Sequence, residues 1–322
     1  MSTACARIGI PRLALIATFA ALLTLAAASP LLRAGAKAPA AALDSAAPGS
    51  FPASWIHGSP NCATNPDPKI QVHAYNEHTF ILRVNKCIDS CANFLFLLFG
   101  QDRALLIDTG PQSQAGILPV RQVVNRLVKR WVAVHNPAQY ELVVTHTHDH
   151  GDHTQGDPQF VGQLQTTLVG ASLPEVQSFY GFTNWPDQIV SYDLGGRVLD
   201  LIPSPGHQSA EISFYDRECD LLFTGDVLLP GYLFIIDHPA YVATVARLWN
   251  FAQANPITFV LGCHVEMTAT PGVPFPFGVT YQPNEHVLQL DVGHLQELHD
   301  ALQAMGLPLQ QEQHDDFLIM PF

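Results

Sequence analysis

The sequence predicts a mixed α/β domain, with strands gathered into sheets and helices laid over them. The first observation is a series of short apolar runs of strand length at 79–84, 94–99, 103–107, 142–145, 198–202, 212–215, 221–224 and 257–261, each bounded by Gly, Pro, Asn or Asp. The second is a set of one-sided stripes at helical spacing: Val120, Val123, Val124, Leu127, Val128 and Trp131; Tyr241, Val245, Leu248 and Ala252; and Leu288, Val292, Leu295, Leu298 and Leu302. These stripes read as core-facing surfaces. The third is the order of the two patterns: strands come both as neighbouring pairs and separated by helices, which calls for sheets of mixed direction covered by helices. No repeat of fixed period is visible, although such a domain can hold a diverged duplication.

The elements follow in chain order. Arg7 and Arg12 precede the apolar run 13–28, and small residues then lead to Ala34-Gly35-Ala36. That is the order of a secretory signal, with cleavage after Ala36 or after Ala28. The run falls short of the about 20 residues that span a bilayer, so export with cleavage is expected over an uncleaved anchor, and no stable span remains afterwards. Residues 37–69 are rich in Ala, Pro, Ser and Gly and read as a linker or extended N-terminal arm. The domain proper is expected over 70–322. Its Pro/Gly/aromatic segment 272–278 cannot be regular structure, and its apolar side chains either pack on the body or rim a pocket.

Composition narrows the function classes. With 48% hydrophobic residues in 322, the chain can bury a full core. Its net charge is −13, and losing residues 1–36 removes Arg7, Arg12 and Arg33 but no acid, leaving −16. So acidic a protein is not expected to bind nucleic acid, where affinity rests on cationic side chains neutralising phosphates. Beyond the presumed signal five cysteines remain: Cys62, Cys87, Cys91, Cys219 and Cys263. An odd number cannot all pair, and an oxidising compartment predicts one bridge among Cys62, Cys87 and Cys91 without fixing which.

The chemistry concentrates in Thr145-His-Thr-His-Asp-His-Gly-Asp-His153, directly after an apolar run. The register His148-x-His150-x-Asp152-His153 supplies three imidazoles and a carboxylate, which the register beginning at His146 does not. Side chains two apart on extended chain point the same way, so His148 and His150 can hold one ion. Gly151 then lets the backbone turn and deliver Asp152 and His153 to a second position. Imidazole with carboxylate suits zinc, with iron or manganese also compatible. More donors are required, and each follows a predicted strand beside a glycine: His207 after Gly206, Asp226 after Gly225, and His264 two residues after Gly262.

These motifs, with Leu106-Ile-Asp-Thr-Gly110, Pro205-Gly206-His207 and Gly225-Asp226, resemble those of the metallo-β-lactamase superfamily over about residue 70 to the C-terminus. The resemblance implies a four-layered αβ/βα sandwich with two mixed β-sheets and a metal site at the sheet edges. It implies that His148, His150 and His207 bind one zinc, that Asp152, His153 and His264 bind the other, and that Asp226 bridges them. Dedicated β-lactamases of the superfamily generally lack that aspartate, whereas glyoxalase-II-like thioesterases, lactonases and phosphodiesterase relatives carry it. Redox di-iron relatives place a glutamate where His150 stands.

Two ions sharing a water lower its pKa toward about 7, so a hydrolase is expected, acting on a small-molecule lactone, thioester or related acyl bond, with Asp152 and Asp226 as catalytic carboxylates. The alternatives are a phosphodiesterase, phosphotriesterase or β-lactamase of the same fold, and a zinc-sequestering protein without turnover. Tyr232, six residues after Asp226, is either a donor to the substrate carbonyl or a packing residue. Phe182, Trp185, Phe234 and the Phe275–Phe277 loop suggest an apolar substrate. His146 and Asp108 are expected to support the ligands rather than join them, and Cys263 to be buried.

Overall fold

A computed structural model describes residues 49–322. The expected export signal and the first part of the expected linker lie outside the described residues. No helix among the described residues is long and apolar enough to cross a membrane.

The first sheet is assembled in chain order from β1 (Ile70–Ala74), β2 (Thr79–Val84), β3 (Phe94–Phe99), β4 (Arg103–Ile107), β5 (Glu141–Thr145) and β6 (Thr166–Leu168). Its first four strands form an antiparallel meander. Helix α1 (Val120–His135) then carries the chain across to β5, which pairs parallel to β4. The short α2 (Gly151–Thr154) and α3 (Leu173–Tyr180) lead to the second sheet. That sheet runs β7 (Val190–Asp193), β8 (Val198–Pro203), β9 (Ile212–Asp216) and β10 (Leu221–Gly225), again antiparallel. After an excursion through β11 (Tyr232–Ile235), helix α4 (His238–Ala254) delivers β12 (Phe259–Gly262) parallel to β10, and β13 (Gln289–Leu290) closes the edge. Following α5 (Val292–Met305), β14 (Glu312–Gln313) and β15 (Leu318–Pro321) join β11 in a small third sheet.

Side-chain alternation generates the layers. Along β2–β5, Ile81, Phe94, Phe96, Leu98, Leu105, Ile107 and Val143 face one core, and their neighbours Leu82, Val84, Leu95, Leu97, Leu106, Leu142 and Val144 face another, under Val120, Val123, Val124 and Trp131 of α1. The second sheet does the same. Leu199, Leu201, Phe214, Leu221, Phe223 and Leu261 meet the first sheet in the shared central core, while Ile202, Tyr215, Leu222 and Val260 lie under α4 and α5. Both sheets are therefore buried on both faces, which is why β3 and β10 read as continuous apolar runs. The result is the four-layered αβ/βα sandwich with two mixed sheets.

Arg197 ties the sheets together. Fully buried, it pairs with Asp216 in β9 and donates to the carbonyl oxygens of His78 and Phe99 at the ends of the first sheet's strands. Residues 49–69 have one short 3-10 turn at Cys62–Thr64 and pack on the body, with Trp55 edge-on to Phe94 and Phe51 against Tyr75 and Phe259. Cys62 and Cys87 are bridged, and Cys91, Cys219 and Cys263 are free.

Three sequence expectations need adjustment. Leu288 precedes α5 instead of belonging to its stripe, because Asp291 caps the helix by accepting from the backbone of Gly293 and His294. The strand expected from Ile257 begins at Phe259, where pairing with β10 starts opposite Leu221. Phe182 lies in the central core and so does not line a pocket, and Trp185, partly buried, packs against that core.

Candidate metal centre

Every candidate ligand lies just past the carboxyl end of a strand, where a sheet's last side chains give way to a turn. His148, His150, Asp152 and His153 follow β5, His207 follows β8, Asp226 follows β10 and His264 follows β12. The structure brings all seven together. His148, His150 and His207 form one group of converging donor atoms, and Asp152, His153 and His264 form a second; Asp226 lies between, grouped with His148 and His153. Asp226 Oδ2 is 3.9 Å from His148 Nε2 and 3.6 Å from the Nε2 atoms of both His153 and His207, while its Oδ1 is 3.4 Å from His264 Nε2.

Backbone conformation sets these positions. Gly225 (φ +56°) and Gly206 (φ +145°) precede Asp226 and His207, and a side chain on Gly206 would meet the Tyr241 backbone at about 2.5 Å. His264 is placed by the contact between the two sheets, where Phe94 N donates to Cys263 O at 2.8 Å.

Hydrogen bonds determine which nitrogen each ring presents. His153 Nδ1 donates to Asp108 Oδ2 (2.9 Å), His207 Nδ1 to Phe234 O (2.7 Å) and His264 Nδ1 to Cys91 O (3.0 Å). Those partners only accept, so each Nδ1 carries a proton and Nε2 is the nitrogen that faces Asp226, where a proton or a metal ion balances the carboxylate. His148 Nε2 is buried with no hydrogen-bond partner. His207 Nε2 also faces His150 Nδ1 at 3.0 Å, two ring nitrogens in a contact that a shared cation would satisfy. The donor set fits divalent metal.

Electrostatics point the same way. Burial, reinforced by His153, holds His148 well below its ordinary pKa and so in the neutral form that ligates. At His264 burial opposes protonation, but Asp226 and Asp152 outweigh it and push the imidazole up to about 10. At His153 the neighbouring Asp152 and Asp108 likewise overcome burial and raise it. The two carboxylates thus draw positive charge into this corner. Both remain ionised despite their burial, Asp152 through His153 and His264, Asp226 through His264 and His153.

The supporting residues have defined contacts. Asp108, at φ +68°, accepts from Thr147 N (2.8 Å), Thr147 Oγ1 (3.0 Å) and the buried Cys263 thiol (3.4 Å), besides His153. His146 turns away and pairs with Asp157 at 2.8 Å. Sequence reasoning missed two residues. Glu211 is fully buried, accepts from Asp226 N at 3.0 Å, and has its carboxyl raised by burial with Asp226 adding. Asn93, also fully buried, donates to Asp152 Oδ2 at 3.2 Å. The only hint of either was a polar residue abutting an apolar strand.

Tyr232 lies on β11, two residues before the Phe234 carbonyl that holds His207. Its hydroxyl donates to Phe275 O at 2.8 Å, bracing the 272–278 loop, and its ring lies 4.0 Å from that of Phe277. The hydroxyl proton expected to serve a substrate carbonyl is engaged there.

The family model for the metallo-beta-lactamase superfamily matches residues 89–264, from the turn before β3 to the last candidate ligand. The chain belongs to the metallo-beta-lactamase superfamily. Among curated members it is similar to the hydroxyacylglutathione hydrolase of Idiomarina loihiensis, 27% identical over 131 residues, covering 41% of this chain and 44% of that protein. It is also similar to the acyl-coenzyme A thioesterase MBLAC2 of Bos taurus, 25% identical over 205 residues, covering 53% and 72%. The chain spans about half the length of the hydroxyacylglutathione hydrolases it matches. Among solved structures, a metallo-beta-lactamase from Pontibacter korlensis superposes with a TM-score of 0.47 at 18% identity, covering 73% of this chain and 99% of that one.

Proposed function

We propose that this superfamily member is an exported hydrolase of a carbonyl ester-type bond, a lactone, thioester or related acyl substrate, that works with two zinc ions. The observation that carries the reading is the convergence of seven donors in two groups about the Asp226 carboxylate, with the ring tautomers set so that Nε2 atoms face inward. His148, His150 and His207 would hold one ion, Asp152, His153 and His264 the other, with Asp226 between them. Bound there, two zinc ions supply an acidified water with a pKa near 7 and Lewis acidity toward an acyl oxygen.

The remaining work falls to the chain. Asp108, Phe234 O and Cys91 O keep three imidazoles in the tautomer that ligates. Asn93 orients Asp152, the more accessible of the two carboxylates, to take up a proton and pass it to the leaving group. Glu211 fixes the backbone that carries Asp226. A sequestering protein would need only one closed shell of ligands, whereas a carboxylate shared between two groups suits a reacting centre. Export is supported by the N-terminal sequence pattern and by the Cys62–Cys87 bridge, which persists in oxidising compartments.

The test is a set of initial rates for the zinc-loaded protein on a lactone, a thioester, a β-lactam and a phosphodiester, beside Asp226→Ala. We expect turnover of the lactone or thioester, reduced at least 100-fold in the variant. Equal rates in both proteins on every substrate would reject the assignment.

A further inference from the structure

From the aromatic surface next to His207 we infer that the substrate is a neutral ester-type molecule whose apolar acyl arm lies along β11 and the C-terminal segment. The inference rests on the hydrolase reading above and deepens it. Alternation along β11 turns Leu233 and Ile235 into the core and leaves Tyr232 and Phe234 on the outer face, their rings parallel at 6.0 Å. Phe277 from the 272–278 loop covers both, at 4.0 and 5.4 Å between centroids, and Phe322 extends the row, 5.5 Å from Phe234.

The strand that carries the row also holds a candidate ligand. Phe234 O holds His207 Nδ1, and just beyond the strand Ile236 N and Asp237 N donate to Gly206 O at 3.0 and 2.9 Å. Beyond Phe234 the row opens into a groove of about 670 Å³ lined by Ile236, His238, Pro239, Leu307, Pro308 and Phe322. Ile236, Phe277, Leu307 and Phe322 are each more than half exposed, a contiguous apolar surface of the kind that marks a binding site.

Charge decides what the surface accepts. The sequence has no lysine or arginine from Leu248 to Phe322, nor from Trp131 to Gly196. The row, the groove and all seven candidate ligands therefore come from stretches poor in fixed cations, with Arg197, Arg217 and Arg247 the sole exceptions after Arg130. Arg197 and Arg217 are bound to Asp216 and Asp200, and Arg247 to Pro203 O and Asp187. Of the cations nearer the N-terminus, Arg83 pairs with Glu285 and Lys86 donates to Ser90 O, both buried. Among these described cations, an acyl group carried on an anionic thiol such as glutathione, with its two carboxylates, would find no free charged fork to grip it. Asp237 lines the groove and Glu266 accepts from Tyr232 N at the row, and these carboxylates disfavour an anion.

Two measurements on the full zinc-loaded protein test this, with Phe277→Ser/Phe322→Ser as the variant, since both side chains are exposed and can be changed without emptying the core. The first is kcat/KM on neutral thioesters from acetyl to octanoyl. We expect a rise of about twofold to fourfold per methylene, from apolar burial, which flattens in the variant, and a lower value for S-lactoylglutathione than for the neutral octanoyl thioester. The second is binding of octanamide followed by NMR titration, with at least fivefold weakening in the variant and weaker binding of octanoate than of octanamide. If neither a thioester nor a lactone is turned over but octanamide binding depends on Phe277 and Phe322, the hydrolase reading fails and the acyl surface stands. Turnover without chain-length dependence, octanamide binding equal in both proteins, or preference for S-lactoylglutathione overturns the acyl surface while leaving the hydrolase intact.

Discussion

Asp108→Asn isolates the mechanism that holds the centre in its binding state. The substitution is nearly isosteric, and φ +68° is a conformation asparagine tolerates, so the backbone has no reason to move. What changes is the number of acceptors. Asp108 Oδ1 takes the Thr147 amide, and Oδ2 takes His153 Nδ1, Thr147 Oγ1 and the Cys263 thiol. Asparagine keeps one oxygen for the amide and turns an NH2 toward the other three. Thr147 and Cys263 can rotate to accept. His153 can accept only by moving its proton to Nε2, which removes the lone pair aimed at Asp226. The bond lost is charge-assisted, about 1.5–3 kcal/mol, and at 1.36 kcal/mol per decade this equals about 10- to 150-fold in affinity at the group containing His153. Zinc titration against a chromophoric chelator at pH 7.5 should show one of two sites weakened by that factor and the other changed less than threefold. If both affinities stay within threefold of the wild type, the tautomer argument is wrong.

Arg197→Met should destabilise the domain by about 3–5 kcal/mol in urea unfolding, because it strands Asp216 as a buried charge and frees two strand-end carbonyls; a loss below about 1 kcal/mol would show that the sheets are held by apolar packing alone. Gly206→Ala meets both a positive φ and the Tyr241 backbone, so we expect about 1–3 kcal/mol of lost stability and weaker metal retention at the His207 group, read by calorimetry and metal analysis. Burial, with Arg83 adding, holds Lys86 down to about 8, against about 10.4 in an unfolded chain. Between those values the unfolded state binds more protons, so stability should rise with pH across the window, by at most about 3 kcal/mol. Lys86→Met should show no such rise, and parallel pH profiles for the two proteins would contradict the assignment.

The strands legible in the sequence were those whose two faces are both apolar, such as β3 and β10, or whose ends carry Gly-Asp and Gly-His signals. The strands that escaped, β1, β6, β7, β11 and β13–β15, have two to five residues each, and pairing with a neighbour is what makes them strands. The seven candidate ligands could be found because metal donors need particular side chains beside flexible backbone. Glu211 and Asn93 could not, since their roles depend on which buried atoms lie opposite, Asp226 N and Asp152 Oδ2, and those come from distant parts of the chain. The role of Tyr232 was open for the same reason: only the folded loop reveals Phe275 O within reach of the hydroxyl.

The two sheets are built alike: a four-stranded meander, a crossing helix, then a parallel strand. Asp108 and Asp226 follow the fourth strand of each, and the His148–His153 turn and His264 follow each returning strand. Neither half alone can complete either donor group beside Asp226. A cation seated between them would therefore be a rivet across the midline, and its binding energy, RT ln(1 + [L]/Kd), would appear as resistance of the halves to parting. At a free metal concentration 100 times Kd that adds about 2.7 kcal/mol. Metal supply would then govern how long the folded protein survives as well as whether it can react.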